Sequence, residues 1–268
     1  MKRIVRAFRR AARQQRAAFV PYITAGDPSL ERTFELALAL ERAGADVLEL
    51  GVPFSDPIAD GPTNQLAAER ALAARTTLAG VLGAVRELRA VSDMAVVLFT
   101  YANPVVRFGV ERFAEHAAAS GVDGVLFTDV PAEEMGRFRG ALKTGRLAPI
   151  MLVTPTSTRA RMKAAARLGA GFLYLVSRTG VTGARQDLDR ELAAYVEAAR
   201  EASKLPVAVG FGISTPEQVA SVAAIADGVV VGSAIVNQIA DEGDTDRLAT
   251  RVEAFAAPLA RACRRSER

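Results

Sequence analysis

Tryptophan is absent from the 268 residues, and cysteine and histidine occur once each. A lone thiol, Cys263, cannot close an internal disulfide or build a thiolate metal cluster, and it reads as a spectator on the last helix. With His116 as the single imidazole, no cluster of His ligands can be assembled and no Ser–His or Cys–His pair is evident. His116 lies in an Ala-rich helical stretch, 113–120, and is expected at the surface or at a helix end. No run of about 18 apolar residues occurs, which excludes a membrane-spanning helix, and the chain is expected in the cytoplasm.

Lysine is also scarce: Lys2, Lys143, Lys163 and Lys204 are the whole set. A Schiff-base aldolase needs a lysine at the catalytic end of a strand. Lys204 comes nearest, yet Leu205-Pro206 set it before the seventh strand, at the opposite end. A metal-dependent aldolase needs several His or clustered carboxylates, so no metal is expected. The net charge is +4, but the arginines run through the whole chain, thickest at its ends, with no nucleic-acid reading motif among them. No nucleic-acid partner is therefore expected.

What is present is alternation. Half of the residues are hydrophobic, and short apolar or β-branched runs fall at 19–24, 45–51, 95–100, 124–128, 149–153, 171–176, 207–210 and 228–232. Amphipathic stretches separate these eight candidate strands. The clearest is 30–43, with Leu30, Phe34, Ala37 and Leu38 on one helical face. Strands apolar on both faces, alternating with helices and without a Pro/Gly-rich linker, predict one closed (β/α)8 TIM barrel over residues 1–268. The first twenty residues are basic and amphipathic, like some transit peptides. A strand follows at once, however, so they predict a short helix across the barrel floor, with Ile4, Phe8 and Ala12 on one face. Gly44-Ala45-Asp46, Gly121-Val122-Asp123 and Gly169-Ala170-Gly171 read as helix stops before strands two, four and six. Thr215-Pro216-Glu217-Gln218 reads as a capping box. Two connections, 51–62 and 177–187, are long for a barrel and are candidate lids on the catalytic face; surface insertion is the alternative.

Chemistry concentrates in the run 48–61, Leu-Glu-Leu-Gly-Val-Pro-Phe-Ser-Asp-Pro-Ile-Ala-Asp-Gly. Glu49 sits inside an apolar strand near its C-terminal end, where desolvation would raise its pKa and suit it to proton transfer. A Glu paired to a buried Arg or Lys is the alternative, although no Arg or Lys lies between Arg42 and Arg70. Asp60, between Ala59 and Gly61, could approach a ligand closely or simply be solvated; Asp56 shapes a turn or meets a partner. Glycine turns end the last two strands, at Gly210-Phe211-Gly212 and at Gly232-Ser233, the second opening a short helix. That pairing fits a phosphate grip, with plain tight turns as the alternative. The residues alone therefore reach acid–base catalysis by carboxylates on a phosphorylated substrate, and no named reaction.

The run 48–61 resembles the signature of the tryptophan synthase α-chain family. Similar segments are Tyr22-Ile23-Thr24-Ala25-Gly26-Asp27-Pro28, Tyr101-Ala102-Asn103-Pro104, Asp129-Val130-Pro131, Pro155-Thr156-Ser157-Thr158, Gly180-Val181-Thr182-Gly183 and Gly210-Phe211-Gly212, in this order over nearly the whole chain. The resemblance implies cleavage of indole-3-glycerol phosphate to indole and glyceraldehyde 3-phosphate. It implies Glu49 as proton donor to indole C3 and Asp60 as stabiliser of charge at the indole nitrogen. Tyr22, Tyr101, Leu126 and Phe211 would line the indole pocket, Thr182 would meet Asp60 from the lid, and Gly183, Gly212, Gly232 and Ser233 would hold phosphate. It further implies no cofactor in this chain, and an α2β2 heterotetramer with a β subunit that carries pyridoxal phosphate. Pro53, Asp56 and Asn103 would make that contact. Asn64 and Thr128 depart from the family pattern at the pocket wall. A stand-alone lyase and a catalytically dead activator of the β subunit are the alternatives.

Overall fold

The computed structural model describes residues 1–176, 185–210 and 212–265, the side chains of 185–190 excepted. Eight parallel strands close into a barrel in sequence order: β1 (Ala18–Thr24), β2 (Val47–Gly51), β3 (Ala95–Thr100), β4 (Gly124–Phe127), β5 (Ala148–Val153), β6 (Leu173–Val176), β7 (Val207–Gly210) and β8 (Gly228–Val231). Each falls on a predicted run, with ends that differ by no more than two residues. The helices up to the β3–β4 connection are α1 (Lys2–Arg13), α2 (Leu30–Ala43), α3 (Pro62–Ala73), α4 (Leu78–Arg89), α5 (Ala102–Phe108) and α6 (Val110–Ser120). Then come α7 (Gly136–Thr144), α8 (Arg159–Leu168), α9 (Arg185–Ala202), α10 (Pro216–Ile225), α11 (Ser233–Glu242) and α12 (Leu248–Ala262). Among the described residues no helix is long and apolar enough to cross a membrane.

The period-two rule of a strand sorts the core into two shells. On β2, Leu48 and Leu50 join the shell between barrel and helices, whereas Val47 joins the barrel interior. Glu49 has the parity of Val47 and so shares the interior face. By the same alternation Val20, Val97, Leu126, Ile150, Tyr174, Ala208 and Val230 fill the barrel.

Helix α1 closes the floor, as its amphipathic pattern predicts. Its buried residues are Ile4, Ala7, Phe8 and Ala11, while Ala12 is exposed. That corrects the expected face: eight residues after Ile4 the helix has drifted about 80°, and seven residues bring it back to within about 20°. A Cβ on Gly124 would stand 3.1 Å from Ile4, and one on Gly228 would stand 3.0 Å from Phe8. Small residues at the strand starts thus admit the plug.

The helix stops have a shared purpose. Gly44 and Gly121 cap α2 and α6 in the left-handed region, at φ of 112° and 86°. Gly169 does not: it is extended at φ −78°, and the left-handed residue is Gly171 two positions on. Asp46 and Asp123, which follow the first two stops, are buried and accept backbone N–H groups from the preceding strand, Phe19 at 2.9 Å and Val96 at 3.3 Å. Asp227 repeats this before β8, accepting from Val207 at 3.0 Å. Arginines neutralise all three, from Arg16 on Asp46, Arg89 on Asp123 and Arg200 on Asp227. These acids tie neighbouring strand starts together at the end of the barrel remote from Glu49.

The two residues set aside on composition lie where expected. Cys263 is buried, its thiol pushed up to about 12 by burial, and directs Sγ at the Leu259 carbonyl. His116 is exposed on α6, its ring 5.5 Å from that of Phe108.

Candidate active site

Parallel pairing sets Glu49 beside Tyr22 of β1 and Val97 of β3. Glu49 is 1% exposed, and its Oε1 finds no hydrogen-bond partner among the described residues. The arginines that bracket it in sequence are committed elsewhere. Arg70 clamps Asp27 through two bonds of 2.7 Å, and Arg42 pairs with Glu253. The alternative of a structural ion pair at Glu49 is thereby removed among the described residues. Burial first, and then the nearby charge of Asp60, push the Glu49 carboxyl up to about 8.

Asp60 hangs over the mouth on the β2–α3 loop. Its backbone is fixed by Asp60 N–H donating to Pro57 (3.0 Å) and Gln65 Nε2 donating to the Asp60 carbonyl (2.9 Å). Tyr101, at the end of β3, clamps the same loop. Its hydroxyl donates to Asp60 Oδ2 at 3.1 Å and accepts the Ala59 N–H at 3.0 Å, while its ring lies 5.2 Å from Phe54. Burial raises Asp60 to about 6, and the Tyr101 hydrogen bond pulls against that rise. Gly61 and Pro62 then start α3, with Pro at the first helical position.

Tyr22 is buried, its ring edge-on to Phe99 at 5.2 Å, and its hydroxyl lies 3.2 Å from Thr24 Oγ1. A Cβ on Gly51 would come within 2.3 Å of that hydroxyl. Across the barrel Tyr174 on β6 stands in the same relation to Gly210, also at 2.3 Å. Both tyrosines are shifted upward by burial, and the Glu49 charge adds to each. Phe99 and Tyr174 are site residues that motif reading missed. Counting alternate positions up β3 from Val97 and up β6 from Phe172 would have found them. Leu126 is fully buried on the interior face of β4.

The two glycine turns differ. Helix α10 closes its own N-terminus: Thr215 accepts from Gln218 N–H at 3.3 Å and Gln218 Oε1 reaches back to Thr215 N–H at 3.2 Å, the expected capping box. Helix α11 starts at Ser233 after Gly232 with no side-chain cap. Its first N–H groups, of Ser233 and Ala234, thus lack the side-chain acceptor that α10 supplies to its own. Gly212 takes φ 70°, a left-handed turn facing the same end. Thr182, Gly183, Phe211 and most of the expected lid 177–187 lie outside the described residues.

The three expected partner contacts do not form one class. Asp56 and Asn103 are exposed, Asp56 accepting from Ser55 Oγ at 2.6 Å, whereas Pro53 is buried within the chain. Pro53 supports the loop rather than presenting a face, because it directly follows the buried Val52 at the strand end. Ile58, 88% exposed at the loop tip, is the apolar residue that the loop does present. Of the two departures, Asn64 buries its Oδ1 without a partner among the described residues, and Thr128 is half-buried with its N–H on the Thr100 carbonyl at 3.0 Å.

A model of the tryptophan synthase alpha chain family matches residues 8–264. The tryptophan synthase alpha chain of Geotalea daltonii is 49% identical, covering 97% of this chain and all of its own, and that of Geobacter sulfurreducens is 53% identical over 88% and 89%. A crystal structure of the alpha chain from Legionella pneumophila superposes with a TM-score of 0.89 at 38% identity, over 97% of both chains. Tryptophan synthase from Mycobacterium tuberculosis does so at 0.89 and 36%, over 98% of this chain and 99% of its own.

Proposed function

This chain belongs to the tryptophan synthase alpha chain family, and we propose that Glu49 and Asp60 divide the acid–base work of its reaction. It is a lyase of tryptophan biosynthesis, the α subunit that cleaves indole-3-glycerol phosphate and passes indole to a β subunit. One observation carries the division of labour: Glu49 is fully buried with an Oε1 unpartnered among the described residues, whereas Asp60 is half-buried and held by the Tyr101 hydroxyl. Burial pushes them up to about 8 and about 6, so that near neutral pH one holds its proton while the other is charged. Glu49 delivers that proton to C3 of the indole ring, which cuts the ring's conjugation and makes the glycerol side chain a leaving group. Asp60, ionised, stabilises the positive charge that develops at the ring nitrogen. The C–C bond then breaks as the side-chain hydroxyl gives up its proton and becomes the aldehyde, and Glu49, now a carboxylate, is the base at hand. Tyr22, Tyr101, Leu126 and Phe211 enclose the ring, with Phe99 and Tyr174 added to that set. Gly183, Gly212, Gly232 and Ser233 hold the phosphate, supported by the uncapped start of α11, and Thr182 meets Asp60 when the lid closes.

The finer assembly belongs to the same proposal: an α2β2 complex in the cytoplasm, no cofactor in this chain, pyridoxal phosphate in the partner, and Asp56 and Asn103 at the contact. The test is indole formation from indole-3-glycerol phosphate by the purified chain, with and without a β subunit. Glu49→Gln is expected to lose about 10²–10⁴-fold in rate in both settings. An unchanged rate would remove Glu49 from the mechanism, and an unchanged rate on adding the β subunit would leave a stand-alone lyase.

A further inference from the structure

The floor of the barrel carries a second concavity, far along the strands from Glu49. It is a cavity of about 570 Å³ between α1 and the starts of β6, β7 and β8, within the range that small-molecule sites occupy. Arg9, Arg16, Arg200, Lys204 and Arg265 line it, against one carboxylate, Asp227. That carboxylate is already used: it accepts from Arg200 at 3.0 Å and from Val207 N–H at 3.0 Å, and Arg265 lies 3.8 Å away. Arg16 is committed to Asp46. Arg9 and Lys204 have no ion-pair or hydrogen-bond partner among the described residues, so the cavity keeps an uncompensated positive charge. Phe8, Leu205 and Pro206 give it an apolar wall, and Gly171 completes the lining.

We propose that this cavity binds a small organic anion with an apolar body, its carboxylate or phosphate held by Arg9 and Lys204 and its body resting on Phe8, Leu205 and Pro206. Both cations stand on exposed ground, so charge steers and selects the ligand more than it tightens it. The apolar wall supplies the remainder.

Phenyl phosphate titrated into the full-length chain, followed by backbone amide NMR, tests the assignment. Saturable shifts are expected at Gly171, Ser203 and Leu205. In Arg9→Gln/Lys204→Gln the floor Kd should rise about tenfold or more while the melting temperature and the shifts at Gly232 and Ala234 stay as in the wild type. Benzyl alcohol, lacking the charge, should bind the floor more weakly than phenyl phosphate, as should inorganic phosphate, lacking the ring. Shifts confined to the mouth, or a floor Kd unmoved by the double substitution, would overturn the proposal. Equal binding of inorganic phosphate would overturn the role given to the apolar wall.

Discussion

Strand β2 carries two acids, Asp46 just before its start and Glu49 at its centre, and both are 1% exposed. Their surroundings are opposite. Asp46 takes Arg16, Arg10 and the Phe19 N–H, so its charge is matched on every side. Glu49 has an oxygen without a partner and a second acid, Asp60, acting on it. Burial alone therefore does not separate a structural carboxylate from a reactive one. The decisive difference is whether counter-charges and donors were brought along. At the floor they hold strand starts in register; at the mouth their omission keeps a proton on Glu49 near neutral pH.

Glu49→Gln should sharpen the contrast most, by costing activity and not stability. The Glu49 carboxyl rises from an ordinary value of 4.5 to about 8 on folding, so the folded state holds a proton that the unfolded chain releases. Stability conferred by the acid is thus fully present below pH 4.5 and lost progressively up to about 8. Thermal melts should show the Gln variant gaining on the wild type across that window and keeping its gain above it. Equal melting curves at all pH values would mean that Glu49 is not desolvated.

Asp46→Ala should do the reverse, leaving kcat within a few-fold while destabilising the chain by about 3–5 kcal/mol in urea unfolding. The Phe19 N–H would then be buried without its acceptor, and Arg16 would lose its counter-charge. A neutral result would break the comparison from the structural side.

The pH profile of kcat/KM should be a bell with an acid limb near 6, from Asp60, and an alkaline limb near 8, from Glu49. Tyr101→Phe removes the hydroxyl that lowers Asp60, so its acid limb should move upward while the alkaline limb stays. Movement of the alkaline limb instead would reverse the assignment of the two acids.

The smallest effect separates the two helix starts above the barrel. Thr215→Ala opens the closed cap of α10 and should cost about 1 kcal/mol of stability without changing KM. Ser233→Asp places a carboxylate at the open start of α11 and should raise KM with stability nearly unchanged. A KM unaffected by Ser233→Asp would remove α11 from the phosphate grip.

Much of this was legible along the chain because it is local. Short apolar or β-branched runs marked eight strands, glycine stops and the Thr215–Gln218 box marked helix ends, and an acid inside an apolar strand marked Glu49. Locality also limited the reading. Ala12 was assigned to the buried face of α1 that Ala11 occupies, and the reading of 169–171 as a helix stop did not say which glycine turns left-handed, since both depend on what packs opposite. Phe99 and Tyr174 belong to no motif; their side chains meet the site only because the closed barrel brings β3 and β6 around Glu49. The charge state of Glu49 lies furthest from what sequence determines. Arg70 is nearer in sequence to Glu49 than to Asp27, yet Asp27 receives it. The sequence by itself put a carboxylate on the interior face of β2; only the tertiary structure decided that the arginines bracketing it, Arg42 and Arg70, would go to Glu253 and Asp27, because pairing energies depend on distances in space and not on spacing along the chain.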